Sequence, residues 1–312
     1  MIYKTDLALE ATEMINEKKA KKLEDTDSLP DGMKVVTSSS PHVSLTKISL
    51  DSVSAAKQIG KKQGVYITIE LLSPLNTLEV HKEVSIKTAE CLSPFIENSK
   101  NNPSIMIIGL GNRNITPDSL GPKVVDKIVV TRHIKSNAQF SQNIDKRLGM
   151  VCAIAPGVMG TTGIETGEII MGLIEKAGPD IVIVIDALCA RKTSRVNTTI
   201  QISDTGIVPG SGVGNHRMEL SKETLGIPVI AIGVPTVVDC STIAHDLLLS
   251  YNESVSEEDL MKKINHSSIS DMVVTPKDID AGISRMSTAI SNGINLAVHK
   301  GFDFGDISDY LI

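Results

Sequence analysis

Two aspartates stand where apolar runs give out. Asp186 follows Ile181-Val182-Ile183-Val184-Ile185, and Asp118 ends a Thr116-Pro117-Asp118 turn downstream of the apolar run 104–109. A charge closing a five-residue apolar run is costly to bury unless it is paired, hydrogen-bonded, protonated or used in chemistry. The plain alternatives are a salt bridge from Asp186 to Arg191 or Arg195, and a capping role for Asp118 at a helix beginning with Ser119. The chemical alternative is a carboxyl pair. Two close carboxyl groups do not both ionise cheaply, so one keeps its proton, and the two together supply a general acid and a general base.

Glycine-rich loops accompany them. Gly109-Leu110-Gly111-Asn112 permits a tight turn, but no third glycine follows at the dinucleotide-binding offset, and Pro117 interrupts the helix start. Residues 155–166 carry Gly157, Gly160 and Gly163, and residues 204–215 carry Gly206, Gly210, Gly212 and Gly214. Neither has the Gly-Lys-Ser/Thr of a phosphate loop. The functional reading of the first is a backbone-lined substrate groove in which Gly157, Gly160 and Gly163 let a peptide lie against main chain, and of the second, with Gly210 and Gly212, a flexible substrate-binding flap at the site rim; the plain readings are a turn with threonine capping and a connector. Asp239 reads as a cap or first-turn acid of the following helix. The seven histidines show no His-x-x-x-His spacing, so no metal or other cofactor is expected. Ser211 lacks a Gly-x-Ser-x-Gly elbow. Cys91, Cys152, Cys189 and Cys240 form no Cys-x-x-Cys and read as reduced, buried thiols.

The elements that must position these groups follow from periodicity. Residues 33–38, 42–49 and 64–72 alternate as strands around a short helix at 51–59, an antiparallel β-rich lobe over 34–75. Residues 77–98 have helical spacing. Continuous apolar runs at 104–109, 149–154, 181–187 and 228–234 then alternate with helices at 119–133, 166–176, 238–250 and 276–299, with β-branched alternation at 196–202. That is an α/β pattern with a mostly parallel sheet flanked by helices, within a domain spanning 76–312. Ligands then belong beyond the carboxyl ends of the strands. Residues 7–33 are polar, with at most an exposed helix at 11–22.

A net charge of −6 and only eight aromatic rings among 312 residues argue against nucleic-acid binding. No apolar run reaches the roughly 18 residues needed to cross a bilayer, and no basic start precedes an apolar stretch, so neither membrane nor secretion is expected.

Several longer motifs resemble the germination protease family. They are Gly-Leu-Gly-Asn-x-Asn-Ile-Thr-Pro-Asp-Ser-Leu-Gly-Pro (109–122), Ala-Pro-Gly-Val-Met-Gly-x-Thr-Gly-Ile-Glu-Thr (155–166), the segments 195–207 and 209–215, Ile-Gly-Val-Pro-Thr-Val-Val-Asp (232–239) and Met-Val-Val-Thr-Pro-Lys (272–277). The resemblance implies an endopeptidase that degrades small acid-soluble spore proteins during germination, a homotetramer in the cytoplasm of the forespore and spore core. It places the two candidate catalytic aspartates on Asp118 and Asp186. It also implies a zymogen that removes its own propeptide, residues 1–6, by cutting between Asp6 and Leu7, an acidic-then-apolar pair. Arg191 or Lys123 would receive the acidic residue before a cut. The fold it implies is similar to that of hydrogenase maturation endopeptidases. The propeptide is shorter than in many relatives, and residues 252–270 are a shortened peripheral segment. Two other classes stay open on the residues alone: a phosphorylase- or nucleoside-hydrolase-like enzyme of small molecules, and a non-catalytic protein that binds spore proteins.

Overall fold

The computed structural model describes residues 5–21, 29–137, 144–210, 217–251 and 272–310. In chain order its first half contains α1 (Ala8–Lys21), β1 (Met33–Ser39), β2 (Val43–Leu50), α2 (Val53–Ile59), β3 (Gly64–Leu71), α3 (Leu78–Glu97), β4 (Ser104–Gly109), α4 (Leu120–Val125), α5 (Arg132–Lys135) and β5 (Met150–Ile154). The second half contains α6 (Met159–Thr162), α7 (Thr166–Ala177), β6 (Ile181–Ala190), β7 (Thr199–Ser203), α8 (Lys222–Leu225), β8 (Val229–Asp239), α9 (Cys240–Tyr251), β9 (Val273–Val274), α10 (Ile279–Val298) and α11 (Phe304–Tyr310).

One nine-stranded sheet runs β1-β2-β3-β7-β8-β6-β4-β5, with β9 added on β8. Only β8, β6, β4 and β5 are mutually parallel; β1, β2, β3 and β7 join antiparallel, as does β9. The expected mostly parallel sheet is therefore a mixed one. The alternating strand at β7 is what bridges the N-terminal meander to the parallel half, since it pairs antiparallel with both β3 and β8.

The parallel strands are apolar on both faces because both are covered. Ile181, Ile183 and Ile185 of β6 pack into the main core with residues of α3, α4 and α10, while Val182 and Val184 face a second cluster with Ile170 of α7. α3 and α10 approach closely because Gly293 leaves room: a Cβ there would lie 2.6 Å from the Thr88 Cβ.

Three further expectations change. The helix expected over 119–133 breaks into α4 and α5. Tertiary bonds take the backbone groups between them: Val129 N–H donates to the Asn295 Oδ1, Asn295 Nδ2 donates to the Lys127 carbonyl, and Thr131 N–H donates to the Val151 carbonyl. The N-terminal helix is not exposed. Leu7, Ala8, Ala11 and Met14 are buried, and Ala8 and Ala11 pack on Ile48, Leu50 and Tyr66. Finally, β6 and β8 run on to Ala190 and Asp239, paired with each other past a register shift between Leu188 and Cys189. Among the described residues no helix is long and apolar enough to cross a membrane.

Candidate active site

Register alone explains how Asp186 reaches a cleft. β4 ends at Gly109, opposite Ile185 of β6, and the Leu110 N–H closes that edge by donating to the Ile185 carbonyl at 2.8 Å. Asp186 is the next residue. Its other neighbour, Gly233 of β8, still pairs with it, so Asp186 lies inside β6 and not at its end, as the apolar run suggested. By strand alternation its side chain leaves on the face of Val182 and Val184.

Asp118 is delivered by the loop after β4. Residues 116–118 make a single 3₁₀ turn, and Asp118 does not cap α4; its Oδ2 accepts the Asn112 N–H at 2.7 Å. The glycines of the loop serve this turn. Gly111 has φ +106°, and a Cβ there would lie 2.0 Å from the Asp118 carbonyl oxygen. A Cβ on Gly109 would lie 2.2 Å from the Gly121 carbonyl oxygen. The backbone approach that glycine permits is thus to the chain's own next turn.

Asp118 and Asp186 line one cleft of about 460 Å³. Its walls include Leu110, Gly157, Met159, Gly160, Gly210, Arg217 and the β6 extension Ala187–Cys189. Burial raises the Asp118 carboxyl, opposed by the Asn112 N–H. Burial pushes Asp186 well above the ordinary carboxylate range, and the negative charges of Asp118 and Asp6 push it further; the Ala187 N–H, donating to its Oδ1 at 2.9 Å, opposes them. Both carboxyls are thus raised, Asp186 the more strongly of the two. Among the described residues no cation pairs with Asp186: Arg195 is taken by Glu10, Glu13 and Glu70, and Arg191 pairs with Glu17 at 2.7 Å.

The other residues singled out from sequence divide. Gly157, Gly160 and Gly210 line the cleft. Gly163 does not; it ends α6 in the left-handed conformation. Gly212, Ser211 and the segment 252–270 lie outside the described residues. Arg191 and Lys123 do not line the cleft. Asp239 accepts the Ser241 N–H at 2.9 Å, the capping role expected of it. Cys189 lines the cleft, but burial, with the Asp6 charge behind it, pushes its thiol up to about 12, which leaves almost no thiolate at neutral pH. Among the described residues no group of three or more His, Cys, Asp and Glu side chains could hold a metal ion.

Asp6 also lines the cleft, and Leu7 beside it is fully buried among Leu188, Ala190, Val196 and Val238. The Asp6 N–H donates to the Cys189 carbonyl at 3.0 Å, and its Oδ2 accepts the Cys189 N–H at 2.8 Å. Its carbonyl accepts Lys61 Nζ at 2.8 Å and Gln201 Nε2 at 3.1 Å. Sequence reasoning passed over Lys61 and Gln201. The only signal was the polar side of β7, Thr199, Gln201 and Ser203, which reads as a solvent face and is instead buried.

Two raised carboxyl groups lining one cleft, with glycines in its wall, suit acid–base chemistry on a bound chain. Comparison with known sequences agrees: the sequence model of the germination protease family matches residues 8–269. The germination protease of Clostridium acetobutylicum is 41% identical over 333 residues, covering 99% of this chain and 98% of that one. That of Clostridium tetani is 39% identical with both chains fully covered, and that of Bacillus mycoides 38% identical over 98% of this chain and 96% of its own. The chain belongs to the germination protease family and is an endopeptidase of spore germination.

Proposed function

We propose that this chain opens small acid-soluble spore proteins with Asp118 as general base and Asp186 as general acid. The observation that carries the assignment is that two carboxyl groups, distant in sequence, line one cleft, with Asp186 raised by burial and then by the charge of Asp118. Asp118, ionised and held by the Asn112 N–H, takes a proton from water as the water attacks the scissile carbonyl. Asp186 gives its proton to the carbonyl oxygen; as the tetrahedral intermediate collapses, Asp118 passes the proton taken from water to the leaving amine and Asp186 takes one back from the hydroxyl, so atoms and charge balance without a covalent intermediate. The substrate lies along Gly157, Gly160 and Gly210, where missing side chains leave room for a main chain.

The same chemistry, applied to its own Asp6–Leu7 bond, removes residues 1–6 and converts the zymogen. The presence of Asp6 in the cleft supports that reading. Assembly as a homotetramer, residence in the spore core and a fold akin to hydrogenase maturation endopeptidases complete the proposal on the strength of the motifs.

Asp118→Asn and Asp186→Asn are each expected to lower cleavage of a purified spore protein by at least about 10²-fold, with the fold intact. The pH–rate profile of the unaltered protein should be bell-shaped, rising as Asp118 ionises and falling as Asp186 loses its proton; Asp186→Asn should lose the alkaline limb. Full activity in either variant removes that residue from the mechanism. Binding of spore protein without fragmentation would point instead to sequestration, and thermal stabilisation by nucleosides or phosphate to small-molecule chemistry.

A further inference from the structure

The way residues 5–8 are held describes a peptide-reading site. Every polar main-chain group around the Asp6–Leu7 bond has a partner. The Asp6 N–H and one carboxylate oxygen pair with both main-chain groups of Cys189. The Leu7 N–H donates to the Thr5 Oγ1 at 3.1 Å. Gln201 spans the bond: its Nε2 donates to the Asp6 carbonyl, and its Oε1 accepts the Ala8 N–H at 2.6 Å. This is strand-like capture of an extended segment, with a side-chain amide in place of a neighbouring strand.

Lys61 supplies the charge. It is half-buried, with its ammonium turned inward, and its hydrogen bonds go to the carbonyls of Asp6 at 2.8 Å and Thr5 at 3.5 Å. Both acceptors lie on the N-terminal side of the Asp6–Leu7 bond. Hydrolysis adds water across that bond, leaving a carboxylate on Asp6 and an ammonium on Leu7. Departure of residues 1–6 then strips Lys61 of both acceptors and leaves the Cys189 N–H and the Gln201 Nε2 without theirs. A desolvated ammonium and two desolvated donors are costly to leave unmatched. They are matched again by any chain that brings an acidic residue with its carbonyl into the same place.

We propose that Lys61, Gln201 and the main chain of Cys189 form the subsite for the acidic residue preceding the cut, and that Asp6 fills this subsite in the uncut chain. The segment is then a substrate and a competitor at once: while Asp6 is in place, no other acidic residue enters. Gln201 positions main chain and is indifferent to the acid; burial works against the Lys61 ammonium and the Asp6 charge favours it, so Lys61, bonded to main-chain carbonyls, separates an aspartate from an asparagine through charge. The inference rests on the reading that Asp6–Leu7 is the bond the enzyme opens in itself.

The test uses the self-processed full chain and two ten-residue peptides differing only in Asp-Leu or Asn-Leu at their centre. The unaltered enzyme should favour the aspartate peptide by at least about tenfold in kcat/KM. Lys61→Met should bring that ratio near one, and Lys61→Arg should restore it. Gln201→Ala should raise KM for both peptides alike and leave the ratio unchanged. A second measurement needs no variant: the peptide Met-Ile-Tyr-Lys-Thr-Asp should inhibit competitively, and its counterpart ending in Asn at least about tenfold more weakly. Unequal peptides with an unchanged ratio in Lys61→Met, or equal inhibition by the two hexapeptides, overturns the subsite. If mass analysis shows self-processing at another bond, the reading beneath it fails instead, and that outcome is visible before any peptide is added.

Discussion

Asp186 and Asp118 share a cleft but not an environment, and the proposed division of acid and base follows that difference. Asp186 is buried within a strand, where its charged form faces two other carboxylates; Asp118 sits on a loop turn. The same burial has a cost. Because the folded state raises the pKa of Asp186 above its unfolded value, the stability linked to its proton is fully present below the unfolded pKa and is lost as pH rises through the folded one. Asp186→Asn, which stays neutral, should therefore melt higher than the unaltered protein in mildly alkaline buffer, by roughly 2–4 °C for each kcal/mol relieved. The two should converge in acid below the ordinary carboxylate range. Equal melting temperatures at alkaline pH would mean that Asp186 is charged at little cost in the fold. Asp186 was conspicuous in the sequence because it closes an apolar run, and Asp118 stood out through its Thr-Pro-Asp motif. Gln201 was not, because a glutamine on the polar side of an alternating strand looks like a solvent-facing residue.

At the scale of elements, α1 is fastened more firmly than its composition suggests. Arg195, almost fully buried, reaches Glu13 at 2.6 Å, Glu70 at 3.1 Å and the fully buried Glu10 at 3.4 Å. Glu10 also accepts the N–H groups of Arg191 and Lys192 at 2.7 and 2.9 Å. Burial works against the charge on Glu13, but hydrogen bonds from Arg195 and Lys192 outweigh it and hold its carboxyl below the usual range. Removing Arg195 strands Glu10 without solvent, while Glu13 and Glu70 keep partial access to it. Arg195→Met is expected to cost about 3–5 kcal/mol and lower Tm by about 10 °C. Hydrogen exchange should show the amides of α1 losing protection first; unchanged protection there would place the anchor elsewhere. The charged character of residues 7–33 concealed this, since acids on a short helix read as a solvated face until their partners, some 180 residues later, are seen. Helix 119–133 failed for the same kind of reason: Asn295, far along the chain, claims the backbone that local periodicity assigned to the helix.

For the molecule as a whole, the return of the chain after α10 is pinned at His299. Its Nδ1 accepts the Gly149 N–H at 3.0 Å and its Nε2 lies 3.1 Å from the Val129 carbonyl, to which it donates. This joins the end of α10 to the entry of β5 and to the α4–α5 connection. Burial lowers the ring to about 4, so it is neutral in the fold. A depressed pKa contributes stability that is present above the unfolded value and is lost as pH falls toward the folded one, here between about 6.5 and 4. His299→Gln should flatten the pH dependence of Tm across that interval, and an unchanged slope would remove His299 as its source. The strand–helix alternation of the second half was legible in sequence because buried parallel strands are apolar throughout. That the meander at 33–71 continues the same sheet was not, because nothing local in β3 or β7 names the other as its partner.

The close approach of α3 and α10, made possible at Gly293, leaves the sheet with an unyielding back. A side chain at position 293 would therefore wedge two twenty-residue helices apart along the whole rear of the sheet, and the disturbance would reach the strands that carry the cleft.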